Sequence, residues 1–168
     1  MKRTIVLFLS LVIAGTAFAA GSGGGGGGGY GGGGHGGMGA SSATPSTPSS
    51  AQDWYNVGYS ASNAGKYQDA VTDFKNAISM KSDYAEAYNM LGFCSRKLGN
   101  VSEAFDYYEK ALKLKPNFPE AREYYGEAYL QDGNLAKAVQ QYIILEKAGN
   151  KYARELLDSI EKFVNQKS

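Results

Sequence analysis

The residues that build most catalytic and metal sites are scarce in this sequence. It contains a single histidine and a single cysteine, His35 and Cys94, which lie far apart in the chain. His35 stands in a run of glycines, where nothing would orient its ring, and there is no CxxC pair. The glycine run also lacks the lysine and serine or threonine that complete a phosphate-binding loop. We therefore expect no enzymatic activity, no metal site and no cofactor.

The single cysteine leaves two interpretations open. Cys94 falls inside a predicted helix, where a free cysteine usually behaves as a small buried residue. Alternatively, it forms a disulfide with a second chain, because a lone cysteine in an oxidising compartment has no partner within its own chain.

Neither an excess of one charge nor a long internal apolar run is present. The chain has 17 lysines and arginines against 16 aspartates and glutamates, so it lacks the positive surface that nucleic acid or an anionic membrane attracts. The one marked apolar run, from Ile5 to Ala14, is shorter than the roughly 20 residues that span a bilayer. We expect no nucleic-acid partner and no stable membrane insertion once the leader is removed.

The N-terminus is typical of a secretory signal peptide. Lys2 and Arg3 precede the apolar run, and Ala17-Phe18-Ala19 follows it with the small-x-small pattern of a cleavage site. We predict a signal at residues 1–19 that is cleaved after Ala19; an uncleaved anchor is the alternative. The protein would then be exported to the periplasm or to the outside of the cell, and the short signal favours a bacterial source.

Residues 20–50 have the composition of a linker. Fifteen of the residues 21–40 are glycine, and Ser, Thr, Ala and Pro dominate from there to Ser50. A segment that cannot bury a core is expected to be disordered. It would serve as a passive spacer, or as a tether with weak contacts from Tyr30, His35 and Met38.

Five sets of residues recur every 34 positions. The set Gly58, Gly92 and Gly126 is unexpected, because glycine inside a helix costs about 1 kcal/mol relative to alanine. The other sets are a second glycine, an alanine, an aromatic and an apolar residue: Gly65, Gly99 and Gly133; Ala70, Ala104 and Ala138; Phe74, Tyr108 and Tyr142; Tyr67, Val101 and Leu135. A period of this length indicates a solenoid of repeated units.

Each unit is predicted to fold as a helix, a turn and a second helix. In the middle unit helix A covers 86–98, and helix B begins at Asn100, with Glu103 completing a capping box. We expect Gly92 of helix A to face Ala104 of helix B, or a residue close to it. Two small residues would then let the helices approach closely.

The pattern resembles the tetratricopeptide repeat family. The matching residues of the middle unit are Leu91, Gly92, Gly99, Ala104, Tyr108, Ala111 and Pro116. The resemblance implies an all-α fold, an α-solenoid of three helix-turn-helix repeats at 51–84, 85–118 and 119–150. Residues 151–168 would form a C-terminal capping helix and tail. Its apolar stripe is Tyr152, Leu156, Ile160, Phe163 and Val164.

In this family the A helices line a concave groove that holds a peptide or a partner's helix. By register, the groove residues here are Tyr55, Tyr59, Asn89, Met90, Phe93, Lys97, Glu120, Glu123, Tyr124 and Glu127. The basic and amide residues with which some members bind a partner's carboxylates are absent. One end of the groove is aromatic and the other acidic, which favours a partner that is apolar at one end and basic at the other. Alternatively, the aromatic residues only pack against neighbouring helices and the acids are solvated.

These observations favour an exported scaffold or adaptor that binds another protein through its groove. The alternatives are a structural envelope protein that self-assembles into homo-oligomers, and an accessory subunit of a secretion or polysaccharide machine.

Overall fold

Seven α-helices follow one another in the computed structural model, which describes residues 47–167 and contains no strand in that range. The helices are α1 (Ala51–Asn63), α2 (Tyr67–Met80), α3 (Ala85–Lys97), α4 (Val101–Leu114), α5 (Pro119–Gln131), α6 (Leu135–Lys147) and α7 (Tyr152–Gln166). The predicted all-α solenoid of helical repeats is confirmed. The predicted signal and most of the predicted linker lie outside the described residues. Within 47–167, every helix is too short or too polar to cross a membrane.

The recurring glycines that end each helix A owe their place to backbone geometry. Gly65, Gly99 and Gly133 have φ values of +74°, +86° and +81°, in the left-handed region that a side chain disfavours. In the middle turn, the amide of Asn100 reaches back over Gly99 to the carbonyl oxygen of Ser95 at 2.9 Å. This hydrogen bond gives a partner to one of the last carbonyl groups of the helix, which has none within the helix itself, as is common at glycine C-caps.

The predicted capping box at α4 is wrong. The side chain of Asn100 makes no capping hydrogen bond, and Glu103 instead accepts hydrogen bonds from Tyr107 Oη at 2.9 Å and Ser95 Oγ at 3.3 Å. A capping box does form at α1, where Ser50 and Asp53 bond each other's backbone amides. That box anchors the first helix of the array.

Each mid-helix glycine makes room for a large side chain. The expected contact between two small residues, Gly92 and Ala104, is therefore wrong. A Cβ added at Gly92 would lie 2.6 Å from Cε1 of Tyr108, one turn beyond Ala104. At Gly58 it would meet the ring of Phe74 at 3.0 Å, and at Gly126 it would meet Cδ2 of Leu156 at 2.5 Å. Each glycine therefore sits against a buried side chain of a following helix.

Helices pack in the order in which they occur. The pairs α1–α2, α3–α4 and α5–α6 form helical hairpins, and each A helix also contacts the next A helix in the row α1, α3, α5, α7. The helix α7 packs on α5 and α6, in the position of a fourth helix A, and buries Leu156 and Ile160. At the opposite end the single tryptophan, Trp54, packs beside the buried cluster of Ala77, Tyr84 and Ala87.

The interior also settles the environment of the cysteine. Cys94 is fully buried between α2 and α3, and burial raises the pKa of its thiol to about 11. A protonated thiol without exposed surface is a poor participant in disulfide exchange. The structure therefore favours the interpretation of Cys94 as a small core residue.

Candidate functional site

The helices α1, α3, α5 and α7 form a row, and the surface that carries the predicted groove residues is here called the A-helix face. The predicted residues differ widely in exposure on this face. Tyr59 and Lys97 are exposed. A second group is half-buried: Tyr55, Phe93, Glu120, Tyr124 and Glu127. Asn89, Met90 and Glu123 are buried.

The aromatic residues of the face form two contiguous groups. Tyr55 stacks on Tyr59 of its own helix with ring centroids 6.2 Å apart, and on Tyr84 at 5.1 Å. Phe93 lies 5.2 Å from Tyr124 of the next A helix, so the aromatic surface extends to α5 rather than ending at α3. With 47% of its surface exposed, Tyr59 is the most accessible of these rings. Rings that are both ordered by neighbours and partly open are typical of binding surfaces.

A cation lies over the second aromatic group. The ammonium of Lys97 sits 5.2 Å from the centroid of Phe93, within the range of a cation–π interaction. The aliphatic stem of Lys97 can lie along the ring, and its charge remains in water because the side chain is exposed.

Arg96 is a site residue that sequence reasoning missed. Its guanidinium donates to Glu127 of α5, and Ser159 of α7 donates to the other oxygen of that carboxylate at 3.3 Å. Three A helices are thereby joined by one polar network. The repeat register gave no clear signal, because the column of Arg96 holds a serine and a leucine, Ser62 and Leu130, whose burial only the structure shows.

Glu123 is the clearest departure from the expected open acidic surface. Only 4% of it is exposed, and its Oε2 has no hydrogen-bond partner among the described residues. Burial, and after it the negative charges of Glu127 and Glu155, raise the pKa of this carboxyl to about 8. Glu123 is therefore a buried acid that tends to keep its proton at neutral pH.

Two further predicted groove residues belong to the interior instead. Met90, with 6% of its surface exposed, packs in the cluster that contains Phe74, Leu91 and Cys94. Asn89 is 1% exposed, and its Oδ1 has no hydrogen-bond partner within the described part of the chain. Neither side chain offers much surface to a partner, because neighbouring repeats cover both.

A shallow cavity of about 440 Å³ lies between α3, α5 and α7 beside the Arg96 network. It is lined by Arg96, Glu127, Leu130, Ser159, Lys162, Phe163 and Gln166. Three of its polar side chains, Arg96, Glu127 and Ser159, belong to that network. Across residues 47–167, no three acidic, histidine or cysteine side chains come close enough together to hold a metal ion.

Several solved structures resemble this fold. The protein MamA is 28% identical, with a TM-score of 0.53 over 71% of this chain, and the chain spans only 63% of MamA. The secretion chaperone SycD of Yersinia enterocolitica, in complex with a peptide of the translocator YopD, is 21% identical, with a TM-score of 0.61 over 70% of this chain and 94% of SycD. The first repeat domain of Spaghetti (RPAP3), bound to an HSP90 peptide, is 18% identical, with a TM-score of 0.61 over 71% of this chain and 96% of that domain.

Comparison with curated protein sequences found no significant match. Three sequence models described as tetratricopeptide repeat match residues 52–84, 85–118 and 107–140, which together cover more than half of the chain. The first two matches coincide with the first two helical hairpins, and the third begins within the second repeat and extends into α6. The chain belongs to the tetratricopeptide repeat family.

Proposed function

We propose that this protein is an exported, non-enzymatic adaptor that binds a segment of a partner protein along its A-helix face. The observation that carries the proposal is the arrangement of this face. Partly open aromatic rings on α1, α3 and α5 lie beside an acidic group formed by Glu120, Glu123 and Glu155 on α5 and α7. Export rests on the signal pattern of residues 1–19.

Structural neighbours support peptide binding by this kind of surface. SycD was solved in complex with a peptide of YopD, and the RPAP3 domain was solved bound to a peptide of HSP90. The carboxylate-gripping residues of some family members are absent here, so the partner chemistry must be inferred from this chain's own side chains.

The chemistry of the face indicates a partner with two kinds of contact. Tyr55, Tyr59 and Phe93 would bury aliphatic or aromatic side chains, which commonly dominate binding energy. The acidic group would favour a Lys or Arg, and Glu127 contributes less to it because its carboxylate already bonds Arg96 and Ser159. The partner segment is therefore apolar at one end and basic at the other.

A selection from random peptides tests this function without a known partner. A phage library of dodecamers would be panned against the full chain, and the enriched peptide measured by calorimetry at low and high salt. We expect Tyr59→Ala to weaken binding at both salt concentrations, because apolar burial is little screened. Met80→Ala is the matched control, since Met80 is 53% exposed on α2, away from this face. Equal affinities for the two variants, or no enriched peptide, would contradict the proposal.

Self-association is a second candidate, favoured by an apolar pair on α6. Ile143 and Ile144 are 39% and 42% exposed. The corresponding residues of the earlier units are polar or charged: Lys75 and Asn76, Glu109 and Lys110. Light scattering over a range of concentrations would test this function, with Ile143→Lys expected to abolish any dimer. A chain that is monomeric at every concentration would rule it out.

A further inference from the structure

Glu123 lies where α5 meets the capping helix, and its surroundings are unusually negative. The carboxylates of Glu120 and Glu127 come from its own helix, and Glu155 approaches from α7. Arg96 of α3 is the positive charge that acts on it, and that guanidinium is already bonded to Glu127. The hydroxyls of Tyr124 and Tyr152 are the other titratable groups nearby.

In this arrangement the carboxyl group of Glu123 has no positive charge paired with it. Burying a carboxylate without a counter-charge is costly, and protonation is the usual way in which a protein avoids that cost. At neutral pH the buried Glu123 keeps its proton, and Oε2 has no hydrogen-bond partner within residues 47–167. A positive charge brought to the α5–α7 junction would stabilise the ionised form instead.

The shape and chemistry of the junction favour an organic cation on a side chain. The described acids do not converge into a set that could ligate a metal ion. Glu155 is exposed and Glu120 is half-buried, so both offer carboxylates at the rim that an ammonium or guanidinium can reach. Once such a group is held there, its charge acts on Glu123 through the poorly solvated interior, where electrostatic interactions are strong.

We propose that Glu123, with Glu120 and Glu155 at its rim, receives one Lys or Arg side chain of the bound partner segment and ionises as that side chain arrives. The assignment rests on the adaptor function proposed above. The partner's cation enters already charged, the carboxyl O–H of Glu123 releases its proton to the buffer, and the site gains a carboxylate paired with the cation. Binding at neutral pH therefore releases close to one proton.

Calorimetry with the selected dodecamer tests this linkage. The binding enthalpy would be measured at pH 7 in phosphate and in Tris, whose different ionisation enthalpies reveal the number of protons released. We expect about one proton for the unmodified chain and none for Glu123→Gln. Replacing the peptide's Lys or Arg with norleucine should weaken binding to the unmodified chain roughly tenfold or more, and change binding to Glu123→Gln far less.

The matched control is Glu161→Gln, which removes the same charge from an exposed position on α7. It should keep both the proton release and the preference for the basic peptide. If Glu123→Gln releases as many protons as the unmodified chain, or if the enriched peptides lack Lys and Arg, the Glu123 assignment is overturned while the adaptor function stands.

A second measurement needs no peptide. Butylammonium chloride would be titrated into the full chain while the carboxyl carbon of Glu123 is followed by NMR, with n-butanol as the uncharged control. We expect the ammonium, and not the alcohol, to shift this resonance towards its ionised position. If the library yields no binder, the adaptor function fails and this titration alone decides the site. A resonance that responds equally to both compounds would overturn the assignment.

Discussion

At the scale of single residues, Gly92 is constrained by the ring that it faces. Tyr108 is fully buried, and its rigid ring cannot move away from a new methyl group as a flexible side chain could. The helix propensity that favours alanine by about 1 kcal/mol is therefore opposed by a steric overlap. Overpacking of this kind typically costs about 1–3 kcal/mol, so the contact should decide the outcome.

We accordingly predict that Gly92→Ala lowers the free energy of unfolding by up to about 2 kcal/mol in chemical denaturation, the net of those two effects. Gly58→Ala should be milder, because its new methyl would meet the ring of Phe74 at 3.0 Å instead of 2.6 Å. Replacing Tyr108 with leucine should reduce the penalty of Gly92→Ala. A Gly92→Ala protein that is more stable than the unmodified chain would show that the ring moves freely.

Glu123 predicts a pH dependence of stability with a definite sign. Its carboxyl pKa is about 8 in the folded state, against an ordinary value of 4.5. Between these values the unfolded state releases a proton that the folded state keeps, so this residue lowers stability as pH rises from about 4.5 to about 8 and adds nothing further above that. The difference in unfolding free energy between Glu123→Gln and the unmodified chain should therefore grow in favour of the variant over this interval. A constant difference would contradict the buried ionisation.

At the scale of elements, the capping helix α7 is held by its packing on α5 and α6, where it buries Leu156 and Ile160. Leu156 is fully buried against the backbone of Gly126, and Ser159 adds a hydrogen bond to Glu127. We predict that Leu156→Ala costs about 2–5 kcal/mol, because it leaves a cavity in the centre of the α5–α7 contact. Hydrogen exchange of the Leu156→Ala protein should be accelerated more in α7 than in α1, relative to the unmodified chain.

A double-mutant cycle separates this contact from general loss of core. Gly126→Ala alone should destabilise the protein, since its methyl would overlap Leu156. In the Leu156→Ala background the same methyl has space and should stabilise. Additive effects of the two substitutions would contradict a direct Gly126–Leu156 contact.

The repeat pattern predicts elements better than it predicts surfaces. The positive φ of Gly99 is a local requirement, so the turns are visible in the sequence. The raised pKa of Glu123 is not, because it depends on burial by the folded helices and on the charge of Glu155, which lies about thirty residues further along the chain. Glu120 and Glu123 are the same residue type one turn apart on α5, and only the folded structure shows that the first is half-buried and the second buried.

At the scale of the whole molecule, the described repeats carry their own N-terminal anchor. The capping box of Ser50 and Asp53, with a further hydrogen bond from Ser49, lies entirely within the described residues. We predict that deleting residues 21–46 changes the thermal midpoint by no more than a few degrees. Ser50→Ala is the positive control, expected to cost about 1 kcal/mol. A large drop on deletion would show that the glycine-rich segment packs on the repeats.

The position of Trp54 has a spectroscopic consequence. A linear array is held by contacts between neighbours, so its two ends can lose structure at different denaturant concentrations. The indole of Trp54 lies at the α1 end, next to Tyr55, whereas circular dichroism averages over every helix of the chain, including the seven within residues 47–167. The fluorescence of Trp54 therefore reports the unfolding of the repeat that carries Tyr55 and Tyr59. The difference between the denaturation midpoints from fluorescence and from circular dichroism measures how independently this repeat unfolds.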